Sequence, residues 1–295
     1  MDLYLIIVII MLALAVSGLV VGVANDAVNF LNSALGSKAA PRYVIMTVAS
    51  VGIIVGAITS NGMMEVARSG VFHPEMFTFA EVMLLFLAVM FTNVILLDIF
   101  NTLGMPTSTT VSLVFGLLGA AVGISIFKIA NDALVTLPDG SLATMADMIN
   151  TGNAMAIIGG ILISVVIAFV CGTVVMYITR LIFSFRYQSK LKSYGAVWCG
   201  IALTAISYFA VFKGLKGTQV IPADWMSWME GHIPMMLGGL LVGWSLIMSI
   251  LSMLKVNILR ITVLAGTFSL ALAFAGNDLV NFIGVFVAGV DAYDI

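Results

Sequence analysis

The stretch GVANDAVNF, Gly22 to Phe30, closes the first apolar run of the chain with Asn25, Asp26 and Asn29. Near the other end AFAGNDLVNF, Ala273 to Phe282, gives Asn-Asp-x-Val-Asn-Phe again, with Asn277, Asp278 and Asn281. Asn25 or Asp26 and Asn29 are three or four residues apart, so their oxygens can converge on one helical face. An ionisable residue within a membrane span costs about 2.5–3.5 kcal/mol on insertion scales, which makes Asp26 and Asp278 functional candidates by default. The plainer reading is that each aspartate caps a helix at the membrane interface. Two matched copies, each with asparagine at −1 and +3, weigh against it.

Composition sets the solvent. Charged residues are 9% of 295 and the mean hydropathy is +1.18, too little charge to cover a soluble surface, so the chain belongs in a lipid bilayer. A near balance of 12 basic and 14 acidic residues argues against nucleic acid as a partner. Cys171 and Cys199 lie in apolar runs and read as free buried thiols. The N-terminal MDLYLIIVII lacks a basic leader, and its run from Leu3 to Ala24 is longer than the hydrophobic part of a signal peptide; it reads as a retained transmembrane helix.

Apolar runs predict helices near 3–24, 43–64, 79–100, 111–130, 154–179, 195–213, 233–254 and 258–276, with a further run after Asn281. In lipid the backbone must satisfy itself, and the short alternating segments of a β-barrel are absent. The expected fold is all-α: a polytopic transmembrane helical bundle with inverted-topology repeats and broken or re-entrant helices. Gly116, Gly119 and Gly123 make the fourth run either a re-entrant hairpin or a full span. The chain divides into 1–130, a first repeat; 131–257, connecting helices with a basic loop; and 258–295, the start of a second repeat.

The densest basic loop carries Arg180, Arg186, Lys190 and Lys192, and is expected to be cytoplasmic. Alternation from there puts Lys38, Arg42, Lys255 and Arg260 inside, and Arg68, Lys128, Lys213 and Lys216 outside. The protein is thus expected in the cell membrane with an extracytoplasmic N-terminus, and with Trp225 and Trp228 anchoring an outer loop. The two Asn-Asp motifs then enter the membrane from opposite faces, the inverted repeat of many secondary transporters.

A third cluster, NTLGMPTSTT, spans Asn101 to Thr110. Gly104 and Pro106 break the helix, and Thr107, Ser108, Thr109 and Thr110 follow at a new helix N-terminus, a good place for an anion. A cap needs one hydroxyl, not four. Asn131-Asp132 precedes a polar stretch and reads as a loop; His73 and His232 read as surface residues. Asp98 lies near a helix end, facing either a cavity or the interface, and the 19 methionines read as packing.

These residues resemble the inorganic phosphate transporter (PiT) family of sodium- or proton-coupled phosphate symporters. That family carries G-A-N-D-V-A-N in each of two inverted halves; here the matches are G-V-A-N-D-A-V-N at 22–29 and A-G-N-D-L-V-N at 275–281. Its P-x-S-T-T-H resembles Pro106-Thr107-Ser108-Thr109-Thr110 followed by Val111. The resemblance implies a phosphate site of Asp26, Asn29, Ser108, Thr109, Thr110, Asp278 and Asn281. It also implies sodium ligands among Asn25, Asp26, Asn277, Asp278 and Thr107. Two departures remove protonatable groups: Val111 stands for the family's histidine, and Gly52 for an acidic residue of some members. Both tilt the coupling ion towards sodium, with no other cofactor.

The chemistry of the residues agrees. Amide, hydroxyl and carboxylate oxygens suit a hard cation such as sodium, by analogy with other hard cations. Phosphate near neutral pH keeps a hydroxyl proton that a carboxylate can accept, whereas sulfate has none and meets repulsion. Proton coupling, another oxyanion such as sulfate, and more distantly an intramembrane aspartyl hydrolase are the competing readings. Against the hydrolase, neither aspartate has the Tyr-Asp or Gly-x-Gly-Asp context of such proteases, and neither motif offers a nucleophile with a base. The hydroxyl cluster expected of a second half would fall beyond Ile295. The 295 residues are therefore expected to be the N-terminal part of a longer transporter, unless a homodimer supplies the missing wall.

Overall fold

Without water to satisfy N–H and C=O groups, apolar segments in lipid close their hydrogen bonds internally as helices. The computed structural model describes residues 3–59, 70–132, 136–137, 140–184, 187–215 and 222–293. Among these residues helix dominates, and β-structure is limited to two isolated bridges, Phe72 with Ile149 and Thr136 with Leu142. The helices are α1 (Leu3–Gly36), α2 (Arg42–Thr59), α3 (Phe79–Thr102), α4 (Thr109–Ala130), a short α5 (Met145–Met148), α6 (Thr151–Phe183), α7 (Tyr187–Phe209), α8 (Ala223–Gly231), α9 (Ile233–Met253), α10 (Ile258–Asn277) and α11 (Leu279–Tyr293). Eight segments among the described residues are long and apolar enough to cross a membrane, with α10 and the run after Asn281 forming the last of them together.

One boundary differs from expectation, and one open alternative closes. The first helix does not stop at Ala24 but continues through Asn25 and Asp26 to Gly36. The fourth run is an uninterrupted helix rather than a hairpin, since single glycines are tolerated where a neighbour packs close, as Val89 does on Gly116. The second helix is described only to Thr59, so residues 60–64 of the expected span lie outside the described residues, as do Arg68, Arg186 and Lys216. Cys199 is buried as expected, but Cys171 is exposed; neither forms a disulfide.

The chain forms two units, each discontinuous in sequence. The first comprises Met1–Asp26, Gly62–Ser164 and Asn277–Ile295. In it α3 packs on α4, and α11 packs on both. Met11, Phe86, Val89, Leu117 and Val285 meet in its core. One end is closed by the segment around Phe72, which is fully buried and tied to the chain before α6 by Asn150 N–H to Val71 O (3.0 Å) and His73 N–H to Met148 O (3.0 Å). Beside it Lys128, expected in an outer position, is only 2% exposed; its ammonium reaches Glu81 at 2.9 Å and the Met76 carbonyl at 3.1 Å.

The second unit comprises Ala27–Asn61 and Val165–Gly276. Here α7 packs along α9, with Gly200 against the Ser245 backbone and the Trp244 indole donating to Ser207 Oγ at 2.9 Å. Gly52 and Gly56 form a G-x-x-x-G stripe that lets α2 lie directly on α10. A Cβ on Gly52 would sit 2.6 Å from the Phe268 carbonyl oxygen. The packing therefore explains why this chain cannot carry an acidic side chain at that position.

Charge divides along the same line. Among the described residues, Lys128 is the one basic residue of the first unit, and Asp224 and Glu230 are the acidic residues of the second. The other described carboxylates, Asp26 and Asp278 among them, belong to the first unit.

Candidate functional site

The break between α3 and α4 is built by local sequence. Gly104 takes φ +68°, open to glycine without strain, and Met105 N–H bonds back to Phe100 O at 2.9 Å while Gly104 N–H bonds to Asn101 O at 3.0 Å. This is a Schellman C-cap, and Pro106 follows where no helix can continue. The new helix opens with Ser108 as N-cap, its Oγ accepting from Val111 N–H at 3.3 Å. The N–H groups of Thr109 and Thr110 have no acceptor within the helix, which leaves positive potential at this end of α4.

Asn25 holds that break against α1. Its Nδ2 donates to Asn101 Oδ1 (2.8 Å) and to Met105 O (3.2 Å), and its Oδ1 accepts from Thr107 N–H (2.9 Å). Asn101 returns the contact, donating through Nδ2 to Val21 O at 2.9 Å. One lone pair of Asn25 Oδ1 remains beyond the Thr107 bond.

The second motif sits at a helix break. Asp278 falls between α10 and α11, and Asn281 N–H bonds to Asp278 O at 3.1 Å. Within the first unit α11 runs antiparallel to α1: Phe282 covers Gly18 and Gly22, and Gly289 lies against Met11. A Cβ on Gly22 would overlap the Phe282 ring, so glycine is needed for that approach.

Motif and hydroxyls converge there. Thr110 Oγ1 donates to Asp278 Oδ1 at 3.1 Å, and Asn281 Nδ2 donates to Thr110 Oγ1 at 2.9 Å. Longer contacts of 3.5 Å link the same amide to Thr109 Oγ1 and Asp278 Oδ1. Thr109 and Asn281 are each 2% exposed, and Asn281 Oδ1 is buried without a hydrogen-bond partner. Asp26 is buried as well and lies within electrostatic reach of Asp278. Two carboxylates, two hydroxyls, an amide and a helix N-terminus thus share one part-buried region. It offers donors to an oxyanion and oxygens to a cation.

The residues expected at a site divide as follows. Thr109, Thr110, Asp278 and Asn281 form this network, with Asp26 beside it, while Asn25 and Thr107 bond to each other at the neighbouring helix break. Ser108 caps α4 with an exposed side chain. Asn29 belongs to the second unit, where its side chain is exposed. Of Asn277 only the backbone is described, as the last residue of α10. Sequence reasoning passed over Asn101 and a second pair, Asn93 and Ser112, whose Oγ donates to Asn93 Oδ1 at 2.6 Å. The signal was available: Asn93 is an amide in the middle of an apolar run, where such groups join helices.

A protein of Thermococcus kodakarensis named "Putative phosphate permease TK2061" is 25% identical over 200 residues, covering 67% of this chain and 45% of its own length. The chain thus matches about half the length of that relative. A solved structure, "The sodium-dependent phosphate transporter", superposes with a TM-score of 0.64 at 16% identity, covering 97% of this chain and 68% of that one, a likeness of fold. Residues 22–294, from the first glycine of the first motif to beyond the second motif, match the Phosphate transporter family, and the chain belongs to that family.

Proposed function

We propose that the chain takes up inorganic phosphate by symport with sodium, phosphate seating between the α4 N-terminus and the second Asn-Asp motif. The observation that carries this reading is the part-buried meeting of Thr109, Thr110, Asp278 and Asn281, with Asn281 Oδ1 left for a partner that donates. A monoprotonated phosphate supplies such a donor and accepts from hydroxyls and N–H groups at once. Asp26, Asp278, the remaining lone pair of Asn25 and the oxygens of Thr107 and Asn277 are the proposed sodium ligands. Ser108 and Asn29 are proposed to join the phosphate shell when the site is occupied.

Sodium as the coupling ion draws support from the structural neighbour, itself named a sodium-dependent transporter, and from the absent protonatable groups at Val111 and Gly52. Antiparallel packing of α1 against α11 supports an inverted arrangement of the two motifs. The protein would lie in the cell membrane with its N-terminus outside, and a homodimer is the proposed assembly.

Phosphate binding by calorimetry tests the coupling ion. Affinity should strengthen with sodium and change little between sodium-free buffers at about pH 6 and pH 8, once phosphate's own titration is subtracted. Proton uptake without sodium dependence would favour the proton-coupled alternative. Radiolabelled phosphate uptake into proteoliposomes with and without a sodium gradient, for this chain beside a full-length relative, then tests transport itself.

A further inference from the structure

The basic end of the α6–α7 pair has a feature that phosphate transport does not use. Between Asp147 and Asp224 the sequence contains no acidic residue, while Arg180, Lys190 and Lys192 are exposed at this end. Apolar grooves converge on these cations within the second unit. One, of about 410 Å³, is lined by Leu181, Val197, Trp198 and Ile201 and ends at Lys190 and Tyr194. A second, of about 520 Å³, follows one face of α6 past Phe169, Gly172 and Met176 to Arg180. Gly172 has nothing within 4 Å of where a Cβ would stand, so the α6 face is notched.

The geometry points to a binding site for an anionic glycerophospholipid, its headgroup phosphate held by Arg180 and Lys190 and its acyl chains laid in these two grooves. Basic pockets between helices at the cytoplasmic side are suited to such headgroups. Lys190 is steadied over the Tyr194 ring at 5.9 Å, and Trp198 is fixed edge-on to Phe183 with centroids 5.6 Å apart. These contacts hold the basic end and the tryptophan wall of the first groove. This stretch of chain offers the cations no carboxylate of its own, which favours an external anion. A lipid supplies that charge together with chains that match the apolar grooves. A free anion fills only the basic end.

Trp198 provides the readout, with Trp198→Phe as the background for the other tryptophans. The full chain in nanodiscs is titrated with brominated phosphatidylglycerol or brominated phosphatidylcholine, and quenching of its fluorescence is followed. Half-maximal quenching should require at least about fivefold less phosphatidylglycerol than phosphatidylcholine. Arg180→Gln and Lys190→Gln should each reduce that preference by about fivefold or remove it, and the double variant should show none. Inorganic phosphate should leave the quenching unchanged. Equal quenching by the two lipids, or a preference kept by the double variant, would overturn the proposal. Relief of quenching by inorganic phosphate would also overturn it, assigning the cations to a free anion.

Discussion

The two Asn-Asp motifs differ only at Ala27 against Leu279 from asparagine to phenylalanine, yet they are used in different ways. The first lies inside an unbroken helix, and Asn25 commits its amide to the chain around Met105 and Thr107. The second lies at a break, and Asn281 turns its amide to the Thr109 and Thr110 hydroxyls. The closing phenylalanines diverge too: Phe282 seats on Gly18 and Gly22 in the first unit, whereas Phe30 packs against Phe274 in the second. A difference just upstream accounts for the break. Ala24 precedes the first motif and Gly276 the second, and glycine is about 1 kcal/mol less favourable than alanine inside a helix. Asn25 of the first motif thus braces the α3–α4 break, while Asn281 of the second faces the α4 hydroxyls.

Substitutions in the two motifs test that contrast. The largest stability effect is expected from Asn25→Ala, which deletes three hydrogen bonds and should cost about 2–3 kcal/mol, read as a loss of thermal stability in detergent. Asn281→Ala should do the reverse, weakening phosphate binding by about tenfold with a smaller change in melting. If the two variants lose stability and affinity alike, the division into brace and ligand is wrong. Gly22→Ala comes next: its methyl group displaces the Phe282 ring, with an expected cost of about 1–3 kcal/mol in the same melting assay. Gly276→Ala should be the smallest. Its Cβ meets nothing within 4 Å, so the change should stabilise the helix by about 1 kcal/mol while lowering phosphate affinity by closing the break.

Hydropathy made the spans legible, because lipid leaves helices as the only economical backbone for these runs. The hydroxyl cluster was legible for a similar reason: Gly104 and Pro106 can only end a helix, and Ser108 can cap the next. What the sequence hid was the partner of each polar group. Asn25 and Asn29 look equivalent on one helical face, but α1 passes from one unit to the other between Asp26 and Ala27, so the two asparagines belong to different units. Asn101 opens the third polar cluster of the sequence, and its bond to Asn25 depends on a contact 76 positions away. Gly52 read as a lost acidic group, while its neighbours show a helix approach that excludes any side chain.

Calorimetric titration of phosphate and sulfate into the parent and the Asp278→Asn variant tests most directly whether a carboxylate beside the α4 hydroxyls selects the anion. The parent should bind phosphate in preference to sulfate. The variant should lose at least about tenfold in phosphate affinity, the scale of a charge-assisted hydrogen bond, and the gap to sulfate should narrow. A variant that keeps both the parent's phosphate affinity and its preference over sulfate would contradict the assignment.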